Sequence, residues 1–240
     1  MQFRLKYVYF VLFSAILGHI GCSPVSENVV KKSRVDNVAE ASQDSGSQNG
    51  AQLATESLVD PATQMIIRSY GPTIRRLILA VMKAESRFSH EAQSNKGATG
   101  LMQIMPVTSN EVGRVLEIED MAHPKNNIHG GVYYLRKLYN LFDGAEPSDR
   151  IKLTLAAYNA GIGRVYDAQM LAAYFHDNPR KWDAIRDALP LLSKRFYTLH
   201  RNVWGQEKPK VAGWFGNSRE TLAYVERIMD YYDEYRLLLN

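Results

Sequence analysis

A single cysteine, Cys22, stands among the 240 residues. No disulfide can form within the chain, which excludes a stapled fold. The six histidines do not follow a metal-ligand spacing such as HExxH. His123 and His129 lie six residues apart and flank a helix start, which is poor ligand geometry. A glycine loop of the GxxxxGK type is missing, so phosphate cradling is not indicated. No metal and no cofactor are expected. Internal repeats are absent and strand signals are scarce. No apolar run is long enough for a confident membrane-spanning helix, because the stretch Tyr7 to Leu17 is too short. Charge imbalance is mild, at +4. It suits an anionic polymer as partner and equally a merely soluble surface.

What is present begins at the N-terminus. Arg4 and Lys6 precede the apolar stretch, and small residues follow at Gly18 and Gly21. That order is an export signal: a basic start, an apolar centre and a small-residue cleavage zone. Cys22 follows Ile20 and Gly21. This resembles a lipoprotein signal, in which the cysteine thiol is acylated and becomes the new terminus. His19 stands where leucine is usual. The alternative is an ordinary signal or an uncleaved anchor with an incidental cysteine. The next stretch is rich in Ser, Gln, Asn, Asp and Glu and lacks aromatics. It cannot bury enough surface to offset the entropy of ordering, so it reads as a tether. The expected organisation is a signal at 1–22, a tether at 23–57 and one catalytic domain at 58–240. With 45% apolar residues, that last part can build a real core.

The domain reads as mainly α. Ile74, Leu77, Ile78, Val81 and Met82 keep the spacing of one helix face. Gly71-Pro72 marks its start. Asn127 is placed to cap a following helix carrying Ile128, Val132 and Leu135. Ile151 to Ala160 is apolar nearly all round, which predicts a buried central helix. Gly161 and Gly163 are expected to end it. Asn217 and Glu220 have capping-box spacing at the start of a last helix. The best strand signal, Ser94 to Gly100, predicts at most a small hairpin or loop.

Glu85 is out of keeping with its surroundings. It follows Met82 by three residues, Val81 by four and Ile78 by seven. At about 3.6 residues per turn it shares their apolar face. Desolvation there disfavours a carboxylate and raises its pKa. A glutamic acid that keeps its proton can donate it to a glycosidic oxygen. A solvated helix-end glutamate, or one paired with Arg75, Arg76 or Arg87, is the plainer reading of the periodicity alone.

The motifs that follow Glu85 narrow the choice. ESRF starts at Glu85, GATGLMQIMP at Gly97, NIHGGVYYL at Asn127, AAYNAG at Ala156 and ETLAYV at Glu220. Closely set glycines let a backbone approach a ligand. The amide of Gln103 can donate to and accept from sugar hydroxyls and acetamido groups. This ordered set resembles the soluble lytic transglycosylase family, most densely between Leu77 and Gly163. The resemblance implies a lysozyme-like helical fold. It also implies cleavage of the β-1,4 bond between N-acetylmuramic acid and N-acetylglucosamine in peptidoglycan. Glu85 matches the family's single catalytic acid and base. Ser94 matches the serine near that acid, and Met102 and Gln103 match the lining of the sugar cleft. Tyr158 and Asn159 match the tyrosine and asparagine of the third motif on the substrate side, and Tyr224 matches the tyrosine that approaches the catalytic carboxyl from the last helix.

The implied reaction needs one carboxyl, whereas most glycosidases use two. The muramic acetamido group assists, and the C6 hydroxyl closes an anhydro ring without water. Apart from Glu220, which opens ETLAYV, no second acid lies in the matched motifs, although Glu91, Glu111 and Asp120 cannot be placed from sequence. The expected partners are peptidoglycan strands and a membrane reached through a lipid on Cys22, in the periplasm at the outer membrane. Nucleic acid is not an expected partner, because the signal exports the chain. Two competitors stay open: a hydrolytic lysozyme on the same fold, and an inactive wall-binding or secretion-scaffold module. The long stretch from 164 to 216 holds many aromatics. Most are expected to pack, with Trp204 and Trp214 left open for stacking on sugars.

Overall fold

Proline sets the entry of one helix after another. The computed structural model describes residues 61–239. Within them α1 spans Pro61–Arg68, α2 Pro72–Ser86, α3 Pro106–Leu116, α4 Pro124–Asn140 and α5 Pro147–Ala160. Each opens on a proline, whose missing N–H is not needed in a first turn. α6 (Ile162–Tyr174), α7 (Trp182–Ala188), two 3₁₀ turns, α8 (Tyr197–Trp204) and α9 (Ser218–Leu238) follow. Strand pairing among the described residues is limited to the bridges Gln93–Thr99 and Thr99–Ile104. The mainly α expectation holds. The export signal with Cys22 and the tether fall outside the described residues.

α5 is the axis of the core. Leu153, Leu155, Ala156 and Ala157 on it are wholly buried, and α4, α6 and α9 pack around it. α2 and α9 lie against each other in opposite sense. Near the start of α2, Arg76 donates to the Leu239 carbonyl at 3.2 Å. At its far end, Glu85 meets Tyr224 near the start of α9. Between them, Lys83 pairs with Glu234 at 2.8 Å and sits over the Tyr231 ring.

Asn127 does not cap α4. His123 precedes the helix without a capping side chain, and Pro124 takes the first turn. Asn127 instead lies inside the helix, wholly buried, and holds the loop before α3. Its Oδ1 accepts the Met102 N–H at 2.8 Å. Its Nδ2 donates to the carbonyls of Thr99 at 3.0 Å and Met121 at 3.1 Å. Gly100 makes room for it: the backbone has φ +76°, and a Cβ there would meet the Asn127 amide at 2.5 Å. A capping signal was therefore a packing signal.

Gly161, at φ 87°, ends α5, but Gly163 lies within α6. Its bare face admits Ala212, whose Cβ would sit 3.1 Å from an added methyl. The loop from 205 to 217 is strapped there. Buried Asp167 accepts the N–H groups of Val211 at 2.9 Å and Ala212 at 2.8 Å. Asn217 precedes α9 but bonds the Glu220 side chain rather than a backbone N–H.

Of the aromatics in this stretch, Trp182 and Phe215 are buried. Trp204 packs on His200, with its indole N–H against the Met170 sulfur. Tyr174, Phe175, Tyr197 and Trp214 stay exposed. Trp214 donates to the Glu207 carbonyl, and Lys194 lies over its ring.

Asn127→Ala removes partners from one buried N–H and two carbonyls. It is expected to destabilise the chain by roughly 3 kcal/mol, since each stranded group costs about 1–3 kcal/mol. Urea unfolding with an unchanged slope measures this; a loss below about 1 kcal/mol would show that water replaces the amide.

Candidate active site

Glu85 occupies the last turn of α2, after the wholly buried Ala80, Val81 and Met82. The backbone then turns sharply, with Arg87 and Phe88 both at positive φ, 51° and 65°. Phe88 is driven back into the core by that turn. Ser86 fastens the helix end: its hydroxyl lies 3.2 Å from the Met82 carbonyl and 2.9 Å from that of Leu101. Glu85 is left partly exposed at the edge of the core.

One hydrogen bond orients its carboxyl. Tyr224, buried on α9, donates its hydroxyl to Glu85 Oε1 at 2.6 Å. Burial raises the Glu85 pKa from the ordinary glutamate range to about 7. The Tyr224 bond and the nearby Arg227 charge pull it down, but less strongly. Glu85 also sits where the carbonyl end of α2 disfavours an anion. The result is an acid near the midpoint of its titration at neutral pH. Such a group can give up a proton and take one back.

Tyr158 emerges from the end of α5 beside it. Its hydroxyl donates to the Met102 carbonyl at 2.7 Å. Burial, then the Glu85 charge, pushes its own pKa well up, so it stays a donor. Its ring leans on Tyr134 at 5.6 Å. Met102 is thus gripped at both backbone ends, by Asn127 and Tyr158. Its side chain, expected at a cleft lining, is wholly buried and fills the space over Gly131.

Gln103 is committed largely to the loop itself. Its Nε2 donates to the carbonyls of Ala92 at 2.9 Å and Gly100 at 3.0 Å, and its φ is 46°. Only the amide oxygen keeps its lone pairs for another group. Ser94 closes the turn below, its hydroxyl accepting the Ala98 N–H at 2.9 Å. No hydrogen bond joins it to Glu85 among the described residues. Exposed Asn159 accepts the Thr221 hydroxyl at 2.8 Å, which leaves its amide nitrogen free to donate. Thr221 was not anticipated from sequence. Its signal is its place one turn before Tyr224.

Comparison with known proteins bears on the family. Residues 72–179 match the family described as Transglycosylase SLT domain. Two similar relatives are both called membrane-bound lytic murein transglycosylase F. The one from Desulfosudis oleivorans is 38% identical over 159 residues, covering 66% of this chain and 32% of the relative. The one from Serratia proteamaculans is 32% identical over 182 residues, covering 75% of this chain and 34% of the relative. The chain therefore spans about a third of the length of these relatives. Among solved structures, the 70 kDa soluble lytic transglycosylase of Escherichia coli aligns with 69% of this chain and 22% of its own. That alignment has a TM-score of 0.48 at 24% identity. Through residues 72–179 the chain belongs to the SLT transglycosylase domain family.

Glu85 binds its proton more tightly folded than unfolded. That advantage is complete below the ordinary glutamate range and is lost as pH rises through about 7. Glu85→Gln stays neutral throughout. It is expected to match the parent near pH ~4 and to exceed its stability near pH ~8. The gain, discounted for the partial exposure of the group, is about 1–2 kcal/mol. Thermal melts across that range test it, and a pH-independent difference would count against the raised pKa.

Proposed function

We propose that this chain is a peptidoglycan lytic transglycosylase acting at the β-1,4 bond between N-acetylmuramic acid and N-acetylglucosamine. The observation that carries this reading is Glu85, a half-sheltered acid with a pKa of about 7, oriented by Tyr224. Membership of the SLT domain family supports it, as do relatives called lytic murein transglycosylases. In the first step Glu85 donates its proton to the leaving glycosidic oxygen. The bond from that oxygen to the muramic C1 breaks, and the neighbouring acetamido oxygen shares the positive charge at C1. In the second step the Glu85 carboxylate takes the proton of the muramic C6 hydroxyl, whose oxygen bonds to C1. Glu85 ends as it began, and the product carries a 1,6-anhydro ring.

The neighbours take supporting roles. Tyr224 orients the carboxyl and lowers its proton affinity. Tyr158 fixes the Met102 carbonyl and with it the loop beneath the sugar. The free amide nitrogen of Asn159, the Gln103 oxygen and the Ser94 hydroxyl offer contacts to acetamido and hydroxyl groups. The Met102 side chain takes no part. Residues 1–22 are read as a lipoprotein signal acylated at Cys22, and 23–57 as a tether for the domain at 58–240. The enzyme then works in the periplasm, held to the outer membrane. Among the described residues, no helix is long and apolar enough to cross a membrane.

The full-length chain incubated with purified wall sacculi is expected to release anhydro-ended muropeptides, identified by mass spectrometry. New reducing ends instead would make it a hydrolytic lysozyme, and no product would leave a binding module. Glu85→Gln should reduce the rate by about 10²–10⁴-fold. Tyr224→Phe removes a bond that stabilises the carboxylate, so the Glu85 pKa rises further. Its lower rate should persist to higher pH, with the basic limb displaced upward; an unmoved or downward limb would refute the orienting role of Tyr224.

A further inference from the structure

A cation with no ion pair among the described residues lies close enough to Glu85 to act on it. Arg227 is exposed on α9, three residues after Tyr224. Its guanidinium carbon lies 5.9 Å from the centre of the Tyr224 ring. Tyr224 in turn touches Glu85 at 2.6 Å. The Arg227 charge is close enough to act on both groups.

Several other cations of the domain find carboxylates. Lys83 pairs with Glu234, Arg201 with Glu207, Arg186 with Asp183 and Asp187, and Arg236 with Asp233. Arg227 forms no ion pair among the described residues, although Asp230 stands three residues on. Arg236 and Asp233 pair at the same separation in the reverse order. A guanidinium set over an aromatic ring is held ready with its fork of donors unspent. Such a fork matches the two oxygens of a carboxylate.

We propose that Arg227 is a substrate-binding residue that takes a carboxylate of the glycan strand, carried by the lactyl or peptide substituent of the sugar beside Glu85. This rests on the glycan-cleaving reading above. It makes the site selective for acidic strands over neutral N-acetylglucosamine polymer, which has the same ring linkage and acetamido group but no carboxylate. It also couples binding to chemistry. Glu85 faces Tyr224 and Arg227 from α9 and Tyr158 from α5. A substrate anion on Arg227 offsets the charge that lowers Glu85's proton affinity, so the acid holds its proton once the right strand is seated.

Calorimetry on the full-length chain carrying Glu85→Gln tests this, because that variant binds without turnover. The probes are soluble muropeptide oligomers and neutral N-acetylglucosamine oligomers. Adding Arg227→Gln is expected to weaken muropeptide binding about fivefold to tenfold, as for one charge-assisted contact in partial solvent. The neutral oligomer should change by less than about twofold, by the same reasoning. Arg227→Lys should recover part of the loss. Equal weakening for both probes, or none for either, overturns the assignment while leaving glycan cleavage intact. If the parent neither binds wall fragments nor releases anhydro product, the cleavage reading fails and this assignment falls with it.

Discussion

The hydrogen bond from Tyr224 to Glu85 ties the fold to its chemistry. Burial alone would make the carboxyl a reluctant acid with no fixed direction. Several strong donors would hold it as a carboxylate with little tendency to carry a proton. One phenol is a middle course: it orients one oxygen and offsets only part of the desolvation. The proton is then gained and lost near neutrality, where acid and base steps can share one group. This balance requires α2 and α9 to be in register, because the two partners are 139 residues apart in sequence. The Arg76–Leu239 contact at the other end of the helices and the Lys83–Glu234 pair between set that register.

The second requirement is a rigid floor opposite the acid. The loop from 92 to 104 has little regular structure, so side chains must satisfy its backbone. Asn127 takes one N–H and one carbonyl of it, Gln103 takes two carbonyls, and Ser86 and Tyr158 each reach one more. Buried polar networks of this kind are stable only when every member is satisfied. The polar residues of the motifs therefore serve the loop's own backbone first. Met102 shows the same logic, because its backbone is held in the site while its side chain anchors the loop in the core.

Periodicity made part of this legible. Glu85 on the Ile78–Val81–Met82 stripe was visible in the spacing, because a charge on a buried face is a local inconsistency. The apolar run of α5 and the Gly71-Pro72 start of α2 were equally plain. Tyr224 had no such mark: a tyrosine on an amphipathic helix looks like core, and only the family resemblance singled it out. Asn127 was misread because an asparagine near a helix start fits a cap. Pro124 had already taken the first turn, and the glycine at position 100 that receives the amide lies 27 residues away. Arg227 gave no sequence signal, since an arginine on a solvated helix face is ordinary. Its meaning comes from lying beside a particular tyrosine and lacking a carboxylate.

The groups acting on Glu85 also bear on how a single carboxyl suffices. Those that shape its proton affinity are a phenol and a guanidinium, and no second carboxylate is among them. A two-carboxyl mechanism needs the partner to stabilise charge at the sugar carbon or to activate water. Here the nearby protein groups, including Tyr158 and Asn159, are donors or neutral, which suits holding a substrate better than attacking it. The nucleophile must then come from the substrate or from water. A C6 hydroxyl on the seated sugar is already positioned by binding, whereas water must be captured and aimed, and intramolecular attack has the entropic advantage. On the reading proposed above, a seated C6 hydroxyl is therefore the favoured nucleophile.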